Sequence, residues 1–278
     1  MIGFKVKIEF VWGFQARIAG LSKTNPSFYY PPPTTFLGAL AESIARKDDL
    51  GEKRGLEVIP ALSEKLLAIG FRPLNFIPVK YEDINRILAV KITSGKLYPN
   101  PVDLKRSFDS PARGKTITIS IDNDPPRMEI VIVLRNNDLK VGERRIIIDE
   151  NYFWRIKRIG SKESIVSIVD VKKTEKISIQ SSGNVITKYC LPYYDSLGKV
   201  NIIEPIWKKE TYIDPFNVDV YNRDDNPVKN YIEGRKIIQF LIPVMSRREF
   251  PEIQVELPEN FVAYKIDGEY IIGRGAYL

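Results

Sequence analysis

The side chains of this 278-residue chain that could do chemistry are cationic and aromatic, and histidine is absent. Without an imidazole titrating near neutrality, the usual acid–base arrangements of metal-independent ribonucleases and hydrolases have no proton shuttle. With no histidine and a single cysteine, Cys190, zinc sites of the His or Cys kind are ruled out. Ser161, Ser164 or Cys190 as a nucleophile would lack a base. Gly114-Lys115-Thr116 ends like a phosphate-binding loop, but the glycine required five residues earlier is Asp109. Pro111 sits in that loop and a strand pattern follows, so nucleotide hydrolysis is rejected. Asp122-Asn123-Asp124 and Asp224-Asp225 lack the spaced oxygens and glycine of a calcium loop and read as solvated turns. No cofactor and no metal are expected.

What remains is a set of aromatics interleaved with cations. Trp12, Phe14, Tyr29, Tyr30, Phe108, Tyr152, Phe153 and Trp154 lie near Arg17, Arg106, Arg113, Lys115, Arg155 and Lys162. Single-stranded RNA is held by stacking bases on aromatic rings and pairing phosphates with Arg and Lys. The net charge is +7, and it is clustered. Residues 1–23 carry four basic groups against one acidic, residues 95–116 five against two, and residues 151–176 seven against three. Such windows favour a polyanion, nucleic acid before membrane, because no amphipathic basic helix accompanies them. Core packing for Trp12, Phe153 and Trp154, and a merely solvated basic surface, are the competing readings.

The elements that must position these groups begin with Phe4, Val6, Ile8, Phe10 and Trp12, alternating with Lys5, Lys7, Glu9 and Val11 as a half-buried strand. Phe28-Tyr29-Tyr30-Pro31-Pro32-Pro33 is then a stiff extended connector, since prolines fix φ and remove donors. Thr34 or Thr35 is expected to cap a helix whose apolar stripe is Leu37, Leu40, Ala41, Ile44 and Ala45. Gly38 inside it implies close backbone approach. This junction either offers amides to an anion beside stacking aromatics or buries Phe28 and Tyr30 in the core.

A second helical pattern covers Leu62, Leu66, Leu67 and Ile69 up to Gly70, and strands are expected over 86–93, 116–121, 128–135, 144–149 and 165–171. Between Ser94 and Ser120 runs a basic, proline-marked excursion, with residues 95–120 forming a projecting hairpin. Beyond residue 172 the texture is β-rich with frequent prolines, and residues 201–233 are acidic. The expected organisation is α+β, with residues 1–171 as one unit and residues 172–278 as a smaller β-rich region. One cysteine and the lack of a signal-like N-terminus or long apolar run fit a cytoplasmic chain. Few Cys and Met among many Ile, Lys and Glu fit a thermophile.

The strand ending in Trp12-Gly13-Phe14-Gln15-Ala16-Arg17, the run from Tyr30 through Thr34 to Leu40, and the loop Arg158-Ile159-Gly160-Ser161-Lys162-Glu163-Ser164 together resemble the Cas-five proteins. The proline–threonine–helix run is the most specific of the three, and the match is best over residues 1–170. The resemblance implies a RAMP-superfamily, ferredoxin-like (RNA-recognition-type) fold and a place in a type I CRISPR effector complex, Cascade. It implies binding of the 5′ handle of the CRISPR RNA, capping of a row of Cas-seven backbone subunits, and contact with the large and small Cascade subunits, without a membrane. Residues 95–120 become the candidate thumb. Arg17, Tyr30 and the Gly160–Ser164 loop are expected around the handle. The full set of expected RNA contacts is Trp12, Phe14, Arg17, Tyr29, Tyr30, Thr34, Arg106, Phe108, Arg113, Lys115, Arg158, Ser161 and Lys162. Some type I-C relatives cut precursor RNA with a histidine, which this chain lacks, so a non-catalytic archaeal type I-A member is expected. An endoribonuclease using Tyr30 or Lys115, and an assembly protein without RNA contact, are the alternatives.

Overall fold

The computed structural model describes residues 1–16, 24–25, 27–84, 87–88, 91–103, 108–109, 112–193, 207–244 and 251–275. Residues 24–25, 82–84, 87–88, 93, 108–109 and 112–113 are described by backbone alone. Strand β1 (Ile2–Phe10) leads to helices α1 (Pro33–Lys47) and α2 (Gly51–Lys65), then β2 (Leu66–Pro73). A long hairpin, β3 (Phe76–Ile84) and β4 (Ala112–Ser120), precedes β5 (Arg127–Leu134), the short helix α3 (Glu150–Trp154) and β6 (Val166–Thr174). The central sheet runs β6-β1-β5-β2, antiparallel throughout, with Val6 opposite both Ile130 and Val171. Two β-α-β crossovers with this strand order make a ferredoxin-like α+β fold, into which the β3–β4 hairpin is inserted.

The alternation of β1 has the expected consequence. Phe4, Val6, Ile8 and Phe10 are buried against Leu37, Leu40 and Ile44 of α1 and Val58 and Leu62 of α2. Phe4 meets Phe153 of α3 with ring centroids 4.6 Å apart. Each such side chain contributes roughly 1.5–3 kcal/mol of burial, so this face anchors the fold.

The second helical pattern is corrected. The helix ends at Lys65, and Leu66, with φ −70 and ψ 120, already belongs to a strand. Leu66, Leu67, Ala68 and Ile69 form a run buried on both sheet faces, and periodicity alone cannot separate such a run from a buried helix. Of residues 86–93, Ile87–Leu88 pairs with Phe108–Asp109 and Lys91–Thr93 with Lys96–Tyr98, while Arg86, Ala89 and Val90 lie outside the described residues.

Past β6 the described elements are mainly strands, including β7 (Trp207–Ile213), β8 (Ile237–Pro243), β9 (Phe261–Ile266) and β10 (Glu269–Arg274), with the small helix α4 (Pro227–Glu233). Cys190, Tyr212, Phe216 and Phe240 join the same apolar cluster as α1. The β9–β10 hairpin lies on the other face of the central sheet. There Tyr264, Ile266 and Ile271 pack on Leu67, Val131 and Val133. A Cβ on Gly273 would come within 2.2 Å of the Leu67 carbonyl, so the two backbones touch. Among the described residues no helix is long and apolar enough to cross a membrane.

Candidate nucleic-acid interface

RNA-recognition-type sheets commonly offer an open face to RNA, but here that face is closed. Lys5 Nζ lies 2.7 Å from Glu269 Oε2 and 3.6 Å from Glu129 Oε2. Arg72 pairs with both carboxylates at 2.7 Å. The Tyr189 hydroxyl lies 2.6 Å from Glu129 Oε1 and 2.8 Å from Glu269 Oε2 and shares its one proton between them, while its ring lies under the Arg72 guanidinium. Burial lifts the Tyr189 phenol far above its ordinary range, and the Glu129 carboxylate adds to it. Of the first basic window, the two described lysines are paired: Lys5 here, and Lys7 3.5 Å from Asp170; Arg17 and Lys23 lie outside the described residues.

A groove on the helical side is open. One wall is the α1 face bearing Thr35, Gly38, Ala39, Glu42 and Arg46, and the other is the segment Arg155–Ser161. Two cavities lie along it, about 130 and 210 Å³. A third, about 400 Å³, opens at the α1 N-terminus between Thr34, Thr35, Gln15 and Ser161 on one side and Phe28, Tyr221 and Tyr231 on the other.

The wall facing α1 is held mainly by bonds to segments more than a hundred residues away in sequence. Gly160 has φ +105, and a Cβ there would meet the Gln15 carbonyl at 2.9 Å, so glycine is required. Ser164 Oγ accepts from Gln15 N at 2.8 Å, and Ile159 N donates to the Ser164 carbonyl at 3.0 Å. Trp12 Nε1 donates to the Glu163 carbonyl at 2.8 Å. At the foot, Ser43 Oγ of α1 donates to the Tyr152 carbonyl, and the Tyr152 hydroxyl donates to Asp48 Oδ2 at 2.9 Å. Burial, with that bond to Asp48, raises the Tyr152 phenol above its usual range.

The groove is cationic. Arg46, Arg155, Lys157 and Arg158 line the smallest cavity, where Glu42 is the only acidic lining residue. Arg155 and Lys157 are exposed, and so is Lys162 at the loop tip. Such clustered, partly exposed cations suit a chain of phosphates.

The expected contacts divide accordingly. Arg158, Ser161 and Thr34 line the groove or its mouth, and Lys162 stands beside it. Thr34 does not cap α1, and neither does Thr35. The cap position is Pro32, whose carbonyl accepts from Thr35 N at 2.8 Å and leaves no role for a hydroxyl. The close approach expected at Gly38 is absent, since a Cβ there would meet only Ile59 Cδ1 at 3.9 Å; the missing side chain instead leaves the groove floor open.

Phe14 and Tyr30 are fully buried and offer no face to a base. Tyr30 packs between Phe71 and Phe76 and donates to the Pro243 carbonyl at 2.5 Å. Burial pushes its phenol well above the usual range, which also deprives a Tyr30-dependent nuclease of its acid–base group. Tyr29 is half-buried, with Lys80 and Lys208 over its ring at 3.8 and 4.7 Å and its amide on Glu210. Trp12 is held by its indole bond. Lys115 belongs to β4, opposite Tyr81, and is not among the groove's lining residues. Arg17 and Arg106 lie outside the described residues, and the side chains of Phe108 and Arg113 are not described. Reading the sequence missed Arg46, Lys157 and Glu42 as groove residues, and it named Arg155 among the cations without placing it among the expected RNA contacts. The aromatic–basic run 151–158 was the signal that pointed to Arg155 and Lys157. Among the described residues no group of three His, Cys, Asp or Glu is placed to hold a metal.

No family model matches the sequence. The chain is similar over its whole length to "CRISPR system aCascade subunit Cas5 1" and "CRISPR-associated protein Cas5 3" of Saccharolobus solfataricus. Both are 26% identical, with 98% of this chain and 99% of each relative covered. The crystal structure of a CRISPR protein from Archaeoglobus fulgidus superimposes with a TM-score of 0.70 at 42% identity, covering 99% of this chain and all of that one. The ferredoxin-like sheet, its inserted hairpin and these full-length similarities place the chain in one family: it belongs to the CRISPR-associated proteins of the RAMP superfamily.

Proposed function

We propose that this chain is a non-catalytic Cas5-type subunit of a type I-A Cascade, and that it holds the 5′ handle of the CRISPR RNA along the groove between α1 and the Gly160 loop. The observation that carries the reading is that groove: four cations from two elements, fixed by a loop that only glycine can close. Arg155, Lys157, Arg158 and Arg46 take successive phosphates. The neighbouring cavity of about 400 Å³ has the apolar walls an unstacked base needs, with Thr34, Thr35 and Ser161 as polar contacts at its rim. The hairpin expected over residues 95–120 starts earlier, because its return strand β4 pairs with β3. This β3–β4 hairpin serves as the thumb toward the guide and the Cas-seven backbone. Residues 1–171 hold the phosphates, while Tyr221 and Tyr231 complete the base cavity. The name of the Saccharolobus relative supports the Cascade assignment.

The test is binding of a labelled single-stranded RNA to the purified chain across a salt series. Wild type is expected to weaken steeply with salt. The double variant R155A/R158A should bind more weakly, with a slope shallower by about 0.7 for each phosphate it no longer neutralises. A flat salt response, or an unchanged double variant, overturns the groove. Purification from the native host tests the assignment to Cascade: RNAs sharing one repeat-derived 5′ end should come with a stoichiometric backbone subunit.

A further inference from the structure

Glu42 is out of place in a phosphate groove. It stands on the groove-facing side of α1, and its carboxylate is shared by cations from both walls. Oε1 lies 2.6 Å from Arg46 Nη2 and 2.8 Å from Arg158 Nη2, and Oε2 accepts from Arg158 Nε at 3.2 Å. The fork that Arg158 presents to Glu42 is the fork guanidinium presents to a phosphodiester, with two parallel donors and two acceptor oxygens.

The geometry points to Glu42 as an internal stand-in for an RNA phosphate: it occupies Arg158 and Arg46 in the free protein and yields them when a strand enters. Three features support an exchange over a permanent structural pair. The side chains are open to water, at 32% for Glu42, 41% for Arg158 and 68% for Arg46, so the bridges are weak and replaceable. The cavity beside them is lined by two further cations, Arg155 and Lys157, to which an incoming strand can attach before displacing the carboxylate. The carboxylate is also tethered, so it competes at high effective concentration against any isolated anion and yields only to one anchored at neighbouring contacts. Glu42 thus sets specificity, excluding loosely held anions in favour of a strand that fits the whole groove.

This inference rests on the groove being the RNA site, so the experiment separates the two. Affinity for one labelled single-stranded RNA is measured across a salt series for wild type, E42Q and E42A, with melting curves to confirm folding. Removing the charge is expected to tighten binding roughly threefold to fivefold at low salt and to steepen the salt slope by up to about 0.7, the increment of one more neutralised phosphate. Wild-type binding with weaker or unchanged E42Q and E42A overturns the stand-in and makes Glu42 a residue that positions Arg158. Failure of wild type to bind RNA with any salt dependence overturns the groove, and the stand-in with it.

Discussion

Two of the places where cations from separate elements meet carboxylates lie on opposite faces of one sheet. On the closed face, Lys5 and Arg72 have side chains 15% and 13% exposed, against Glu129 at 2% and Glu269 at 27%. In the groove, four cations surround Glu42, and all three members of its ion-paired set are at least 32% exposed. The charge types are the same, but the balance and the solvent are not. Where charges cancel and are buried, removing one leaves an uncompensated ion in a low-dielectric site and costs stability. Where cations outnumber carboxylates in water, each pair is worth little to the fold and the excess is free to meet a polyanion. Positive charge marks a binding surface only after its partners have been counted.

The largest expected effect tests that division. E129A should destabilise the fold by about 3 kcal/mol, the lower end for breaking a buried pair because Glu269 still faces both cations. R158A, a partly exposed member of the groove, should shift stability by no more than about 1 kcal/mol. RNA affinity per folded molecule should reverse the order, with R158A impaired and E129A near wild type. Urea unfolding beside RNA titration measures both, and a stability loss shared equally by the two variants would break the comparison.

G160A comes next and attacks the groove through backbone alone. At φ +105 a side chain is strained, and its Cβ would press on the Gln15 carbonyl, so a loss of about 1–3 kcal/mol is expected. Displacing the loop should also weaken RNA binding, because Arg158 and Ser161 ride on it. Intact affinity in a destabilised G160A would detach the loop from the site.

How much of this was legible depends on how locally each feature is encoded. The period-two pattern of β1 and the helical stripe of α1 identified those elements, because both are amphipathic and one turn or one pleat decides the face. Strand β2 was misread because Leu66–Ile69 is buried from both sides and carries no alternation. The closing of the sheet face joins Lys5 to Glu269, 264 residues away, and no local pattern announces it. At the site, the Gly160 loop and Arg158 entered through the resemblance to the Cas-five loop and not through a local pattern. Arg46 stands in the last turn of α1, and nothing local announces its groove role, which depends on a loop more than a hundred residues distant. Tyr30 and Phe14 show the converse: an aromatic beside a basic residue in sequence says nothing about which side of the backbone it faces.

The closed face also carries a pH signature. Burial pushes the Glu269 carboxyl up, but the Lys5 hydrogen bond, Arg72 and the Tyr189 hydroxyl together hold it below the ordinary range. A depressed folded pKa stabilises above the unfolded value of roughly 4.3 and is lost as pH falls through the folded one. Wild type should therefore lose part of its stability below about pH 5, and E269Q should show a flatter acid profile over that window. Parallel melting temperatures for the two proteins between pH 6 and pH 3 would remove Glu269 from the account.

The smallest effect separates groove shape from groove charge. G38A adds one methyl to the floor, within ordinary contact of Ile59 Cδ1, and replaces the poorest non-proline helix former with the best. It should raise stability by up to about 1 kcal/mol. G38L keeps part of the helix gain but fills the space between Thr35, Glu42 and Arg158. If the groove binds RNA by position as well as by charge, G38L should lose affinity while its salt slope stays at the wild-type value, because no cation is removed. Equal affinity for G38A and G38L would mean that the strand runs over the cations without entering the groove.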